Sequence, residues 1–349
     1  MTDAFAERVF TDVSTTMLTM LACLGDRLDL FKALAASGPA TPDQLAEQAG
    51  INARYAREWL SAMAAGGYVS YDPASGSFSL PSAHVPVLAE ENGRWFCGGP
   101  LQELLAMMGL MHQYTNVFRH GGGVPQSAFS QDMWTGLERE SAVWFDNVLV
   151  AEWIGKAPGV RPQLERGTSV ADVGCGRGRA LIRLAQAFPN SRFTGYDVFG
   201  PAVEQASECA RAEGVADRVH FEQIDASEGL QRQHNLILSF DVVHDAADPL
   251  AFLCSIRKAL APKGRYLCLE PRAGERLEEN LSLTGAMWYA ASTMYCMTTS
   301  LANGGAGLGA MGMPEVRLRE LCLAAGFAEV TDLEVDDPLV ALYEIRAVE

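Results

Sequence analysis

Positive charge is scarce in this chain of 349 residues: 27 lysines and arginines stand against 43 aspartates and glutamates, a formal charge of −16. So acidic a chain repels phosphate backbones within a Debye length, and nucleic acid is not expected as a partner. The eight cysteines include no C-x-x-C pair, so they read as reduced core thiols rather than a redox or zinc motif. Histidines at 84, 112, 120, 220, 234 and 244 show no ligand spacing such as H-E-x-x-H, and no metal is expected. The opening MTDAFAERVF lacks a basic-then-apolar leader, which leads to the expectation of a cytoplasmic protein. Asp, Glu, Lys, Arg and His are all missing from 280–314, yet Ser282, Thr284, Ser292, Thr293 and Thr298 to Ser300 interrupt its apolar residues. That stretch reads as buried protein, not a membrane span.

What is present is 48% hydrophobic residues, enough for two cores in a chain of this length. The run Val170 to Arg179 has the form of a buried strand, a glycine turn and a helix start. Gly174, Gly176 and Gly178 allow the backbone to approach a nucleotide-like ligand closely. A dinucleotide fingerprint would need its third glycine at 179, where Arg179 stands, so a nicotinamide cofactor is disfavoured. Strand patterns recur at Arg192 to Asp197, Arg218 to Ala226, Leu236 to Asp241 and Gly264 to Glu270, with two more at Phe327 to Val335 and Leu339 to Arg346. Their alternation with helices predicts an α/β fold with a doubly wound sheet and ligand at the carboxyl ends of its strands. Asp197, about 20 residues past the glycines, stands where an acid can bridge ribose hydroxyls.

Spelled D-x-G-x-G-x-G, the turn resembles the first motif of the class I S-adenosylmethionine-dependent methyltransferases. The resemblance implies a Rossmann-like seven-stranded methyltransferase sheet whose last strand is antiparallel. It implies S-adenosyl-L-methionine as cofactor, held by Asp172, Gly174, Cys175, Gly176, Asp197, Val198, Asp225, Ala226, Ser239, Phe240 and Asp241. Asp225 is expected to meet the adenine amino group, with a plain turn aspartate as the alternative.

Upstream, the apolar residues from Thr11 to Ala36 cover more than one helical face and call for burial elsewhere. A capped helix from Thr41, a second from Asn52 to Met63, and a ribbon of Tyr68 to Tyr71 with Ser77 to Leu80 spell a winged helix-turn-helix. DNA recognition through Arg54 and Arg57 is the alternative use, but Asp43, Glu47, Glu58 and Asp72 outnumber those arginines. Small-molecule O-methyltransferases carry a similar winged helix for dimerisation, so a homodimer is implied. The expected domains are a winged-helix dimerisation domain over 1–95, a helical connection covering the active site over 96–165, and the cofactor-binding domain over 166–349 with a lid insertion at 271–314.

Methyl transfer is an in-line displacement, so the protein must align a nucleophile and remove its proton. His244, just past the fourth strand pattern, resembles the general base of the winged-helix O-methyltransferases, with Asp245 beside it to orient it. Those enzymes usually place Trp next, whereas Ala246 follows here. Base, substrate-orienting and structural roles stay open for His244. Tyr114, His120, Trp288, Met294 and Tyr295 are candidate substrate contacts, with core packing as the alternative. The whole chain resembles an actinobacterial and fungal-type subgroup of unassigned substrate through FAER, YxREWL, GGGVP, DVGCGRGRAL, FDVVHDxADP and GGAGLG. The expected activity is methylation of a small, largely apolar acceptor, by O-methylation in secondary metabolism; a cofactor-sensing transcriptional regulator and a C- or N-methyltransferase are the rivals. The fourth strand lacks the Pro-Pro-aromatic ending of nucleic-acid amino methyltransferases.

Overall fold

Seven of the strand patterns pair into one sheet. The computed structural model describes residues 2–347; Met1, Val348 and Glu349, at the outer ends of the expected domains, lie outside the described residues. Two compact units divide the chain: residues up to Gly109 with Phe129–Asn147, and Leu110–Ala128 with everything from Val148 on. The expected connection over 96–165 is therefore not one element but is shared between the units. Its helices Gly98–Met108 and Gln131–Trp144 stay with the amino-terminal unit because glycines let them touch. A Cβ on Gly99 would come within 2.5 Å of Glu140 N and 2.8 Å of Gly136 O. Arg139 then bonds both Asp26, at 2.7 Å, and Glu91, at 2.8 Å, tying the pair to the rest of that unit.

The amino-terminal unit begins with helix Thr2–Arg27, followed by a separate helix Leu30–Ser37. One uninterrupted helix is not formed because Asp29 takes a left-handed φ of 54° between them. Nor is the first helix buried by its own unit: Phe5 is 66% and Phe10 75% exposed, with Val13 and Met17 also exposed. Helix Pro42–Ala49 has the predicted capping box of Thr41 and Gln44, and helix Ala53–Ala65 starts on the Asn52 side chain. Strands β1 (Ser70–Asp72) and β2 (Ser77–Ser79) form the wing, to which Ala40 adds a bridge at Phe78. Leu30, Phe31, Leu34, Leu45, Leu60 and Met63 fill the core beneath.

In the second unit the strands are β3 (Ser169–Val173), β4 (Arg192–Asp197), β5 (Val219–Gln223), β6 (His234–Phe240), β7 (Leu260–Pro271), β8 (Phe327–Asp332) and β9 (Val340–Ala347). They lie in the order β5-β4-β3-β6-β7-β9-β8. β3 to β7 pair in parallel, and β9 runs antiparallel to both β7 and β8. β9 is therefore interior, β8 and β5 are the two edges, and the last two patterns pair with each other as an antiparallel hairpin at the β8 edge. β9 is buried from Val340 to Ile345, as an interior strand should be. The order of winding reverses at β3, with β4 and β5 laid to one side and β6 and β7 to the other, and the loops at the carboxyl ends of these strands border that switch point. The segment 271–314 contributes helices Leu283–Met294 and Cys296–Ala302, followed by the glycine run.

Candidate active site

The turn after β3 is built around close approach. Gly174 N and Cys175 N both donate to Tyr196 O, at 2.8 and 3.0 Å, so the loop folds over the end of β4. Gly174 has a φ of +79°, and a Cβ there would come within 2.6 Å of the Val242 side chain. Asp197 secures the other side: Oδ2 accepts from Gly176 N at 2.8 Å and Oδ1 from Phe199 N at 2.9 Å. Asp172, at the end of β3, is 2% exposed, and its Oδ1 has no hydrogen-bond partner among the described residues. Burial and then the charge of Asp197 push the Asp172 carboxyl up to about 8. Burial likewise raises Asp197, against the pull of its backbone donors.

The other expected cofactor residues sit around this turn in different ways. Cys175 is buried and Val198 exposed. Asp225 is exposed and caps the turn Ala226–Glu228 through Ser227 N at 2.9 Å, while Ala226 is buried. The Ser239 hydroxyl is engaged inside the sheet with Tyr266 Oη at 2.6 Å, which leaves only its backbone for a ligand. Phe240 stacks on Trp153 with ring centroids 6.3 Å apart. Asp241, immediately after β6, adopts a left-handed φ of 62°, an unusual conformation for a residue other than glycine.

Past Asp241 the chain makes a single 3-10 turn, Val243–Asp245, that carries His244. Its anchor is Glu270 at the end of β7, fully buried. Glu270 Oε1 accepts from Val243 N at 2.8 Å and Val242 N at 3.3 Å, and Oε2 accepts from His244 Nδ1 at 2.7 Å. That bond assigns the Nδ1 hydrogen and turns Nε2 toward Asp245 Oδ1, 3.3 Å away. Asp241 Oδ1 stands 3.8 Å from Nδ1. Burial of the 1%-exposed imidazole opposes its charging, but Asp245, Glu270 and a Cys296 hydrogen bond overcome that and hold His244 well above its ordinary value. Burial pushes the Cys296 thiol up to about 12, so it is protonated at neutral pH.

Among the expected substrate contacts, Tyr114 Oη donates to Met294 O at 2.8 Å, which joins two of them. Tyr295 is buried next to Cys296. Trp288 has a buried indole N–H with no hydrogen-bond partner among the described residues. His120, at the end of helix Met111–His120, is exposed. The insertion also closes on the turn after β6: Ala306 N donates to Ala247 O at 2.9 Å and Gly309 N to His244 O at 3.3 Å. A Cβ at Gly305 would lie 2.5 Å from Ala247 Cα. The small residues Ala246 and Ala247 thus meet a glycine-lined strip of the insertion.

Two residues of this site, Glu270 and Cys296, escape a reading of the sequence. Glu270 closes a strand pattern with the same strand-then-acid ending seen at Asp197 and Asp241, and that ending was the available signal. Cys296 gives none, because it reaches His244 only through the fold of the insertion.

Residues 164–315 match the family model described as a methyltransferase domain, and residues 16–90 the one described as an Rv2258c-like winged HTH domain. The methyltransferase UngE' of Aspergillus campestris is 36% identical over 81 residues, covering 22% of this chain and 24% of that protein. The chain spans about a quarter of the length of the curated relatives it matches first. In fold it is similar to mitomycin 7-O-methyltransferase MmcR, with TM-score 0.72, 19% identity and 99% of each chain covered. Human N-acetylserotonin methyltransferase in complex with S-adenosylmethionine is similar too, with TM-score 0.70, 16% identity, and 99% of this chain and 98% of that one covered. The chain thus carries a methyltransferase domain over 164–315 behind an Rv2258c-like winged helix-turn-helix domain over 16–90.

Proposed function

We propose that the protein binds S-adenosylmethionine beside the turn after β3 and directs its methyl group to a small, largely apolar acceptor, with oxygen the favoured acceptor atom. One observation carries this reading: the glycine turn is bordered by two carboxylates, Asp172, buried and with an oxygen unpaired among the described residues, and the half-buried Asp197. A pyrophosphate would meet like charge there, whereas an amino acid bearing ammonium and sulfonium charges would relieve it. Bound there, the cofactor supplies an electrophilic methyl group. Asp197 would accept from the ribose hydroxyls and Asp172 from the ammonium.

His244 is the candidate base for a hydroxyl acceptor. Glu270 fixes its ring; the role requires the neutral imidazole, and the same carboxylates that hold His244 above its ordinary value favour the imidazolium formed when Nε2 takes the proton. Tyr114, Trp288, Met294 and Tyr295 offer an apolar lining with one unpaired indole N–H, suited to an aromatic acceptor. A similar fold in CalO1, a methyltransferase in calicheamicin biosynthesis, supports a role in secondary metabolism. The exposed apolar face of helix Thr2–Arg27 fits a second copy of the chain, a homodimer. Against the regulator reading, Arg54 is already paired with Glu58. No helix among the described residues is long and apolar enough to cross a membrane; the cytoplasm is the proposed compartment.

Titration calorimetry tests the cofactor. Micromolar binding of S-adenosylmethionine or its demethylated product is expected, weakened by Asp197→Ala; equal affinity in that variant would remove Asp197 from the site. A panel of hydroxylated aromatic acceptors, read by release of the demethylated cofactor, tests the reaction, and turnover confined to amine acceptors would reject the oxygen assignment.

A further inference from the structure

The side of His244 turned away from Glu270 presents three ligand types, an imidazole, a carboxylate and a thiol. A ring nitrogen of His244, an Asp245 carboxylate oxygen and Cys296 Sγ all lie within 4.8 Å of one another, and Nε2 is the nitrogen that Glu270 leaves uncommitted. His244 is 1% and Cys296 9% exposed. Because Nδ1–H is committed to Glu270, a neutral imidazole would point the Nε2 lone pair at Asp245 Oδ1 across 3.3 Å. Two acceptors facing each other at that distance require a cation between them, a proton or a metal.

We infer that His244, Asp245 and Cys296 form a binding site for one divalent cation of the zinc class, held from behind by Glu270. Imidazole, thiolate and carboxylate together suit zinc or cobalt and not the oxygen-seeking calcium or magnesium. Tetrahedral bond lengths of about 2.0–2.3 Å place ligand atoms about 3.3–3.8 Å apart. The imidazole and carboxylate are already at that separation, and the thiol lies within 4.8 Å of both. Glu270 on Nδ1 is the carboxylate that zinc-bound histidines commonly carry on their second nitrogen, and at 2.7 Å it fixes ring and tautomer. Three protein ligands leave a fourth position open.

Binding is balanced by protons. The Cys296 thiol and the imidazolium N–H each release one, and the resulting thiolate and the Asp245 carboxylate together offset the two charges of the cation. The metal would clamp the insertion, through Cys296, onto the turn after β6. It would also occupy the lone pair with which His244 takes a proton, so cation and acceptor proton compete. The site stands on the positions of these side chains and not on the methyl-transfer reading.

Chelator-treated full-length protein titrated with cobalt(II) gives the test. We expect saturation at one equivalent, tetrahedral visible absorption, a thiolate-to-cobalt charge-transfer band, displacement by zinc and release of about two protons. Cys296→Ser should abolish the charge-transfer band and weaken binding at least tenfold, Asp245→Asn should weaken it likewise, and Glu270→Gln should cost about 10–100-fold. Cys97→Ser, at an exposed thiol elsewhere, should change nothing. Absence of stoichiometric binding, or a charge-transfer band surviving in Cys296→Ser, overturns the inference. Calorimetry of S-adenosylmethionine with the metal-free protein reports separately on the methyltransferase reading, so either idea can fail while the other stands.

Discussion

Two buried histidines mark the two ends of β6 and are shifted in opposite senses. His234, at the start of the strand, is 3% exposed and shares a hydrogen bond with Tyr196 Oη at 3.0 Å. Burial, helped by the charge of Arg232, pushes it down to about 4, so it is neutral in the folded protein. His244, just beyond the other end, is as deeply buried yet held well above its ordinary value by Asp245 and Glu270. Burial opposes charge in both; only the carboxylates at the strand's far end reverse the outcome. The amino end of β6 is thus packed and neutral, whereas the carboxyl ends of the strands gather Asp172, Asp197, Asp241 and Glu270 into an acidic rim that favours cations.

The largest test of that contrast is His244→Gln. If this imidazole is the base, turnover of a hydroxyl acceptor should fall about 10²–10⁴-fold with cofactor affinity intact, and unchanged turnover would remove the role. Next comes Glu270→Ala, which strands the His244 Nδ1–H and two buried backbone N–H groups; a loss of about 3–5 kcal/mol is expected in denaturant unfolding. Asp197→Ala should cost roughly 2 kcal/mol of cofactor affinity, or about 30-fold by calorimetry, since it removes charge-assisted hydrogen bonds.

The two histidines should also part company in pH. With its folded value lowered, His234 stabilises the fold above about pH 6.5, and that contribution is lost as pH falls toward 4. His234→Gln should flatten that acid limb by on the order of 2–3 kcal/mol in unfolding experiments, and an unaltered limb would count against a neutral His234. His244, with its folded value raised, contributes its stability fully below about pH 6.5 and loses it as pH rises through the raised value. Smallest of all, Thr41→Ala removes a helix cap in the other unit and should cost about 1 kcal/mol without altering cofactor affinity.

How much of this was legible in the sequence depends on the distance over which each feature is built. The glycine turn, Asp197 and the capped helix at Thr41 rest on residues a few positions apart, and each appears where its pattern indicated. The acidic rim required knowing that β7 lies beside β6, because only that pairing brings Glu270 under Val242, Val243 and His244. The helices expected to form one connection over 96–165 could not be apportioned from periodicity alone. Close contacts at Gly99 and Gly136 decide their partner, and those contacts have no signature in either helix by itself.

For this protein the sequence by itself determined the local chemistry: left-handed turns where glycine permits them, an acid at the end of several strands, helices capped by Thr41 and Asn52, and an overall negative charge. Tertiary structure decided which of those groups share a volume. Burial beside carboxylates, not residue type, sets His244 apart from His234, and the insertion brings Cys296 to a histidine far away in the chain. The physical reason is that backbone conformation follows from neighbours in the chain, whereas desolvation and Coulomb energy depend on neighbours in space.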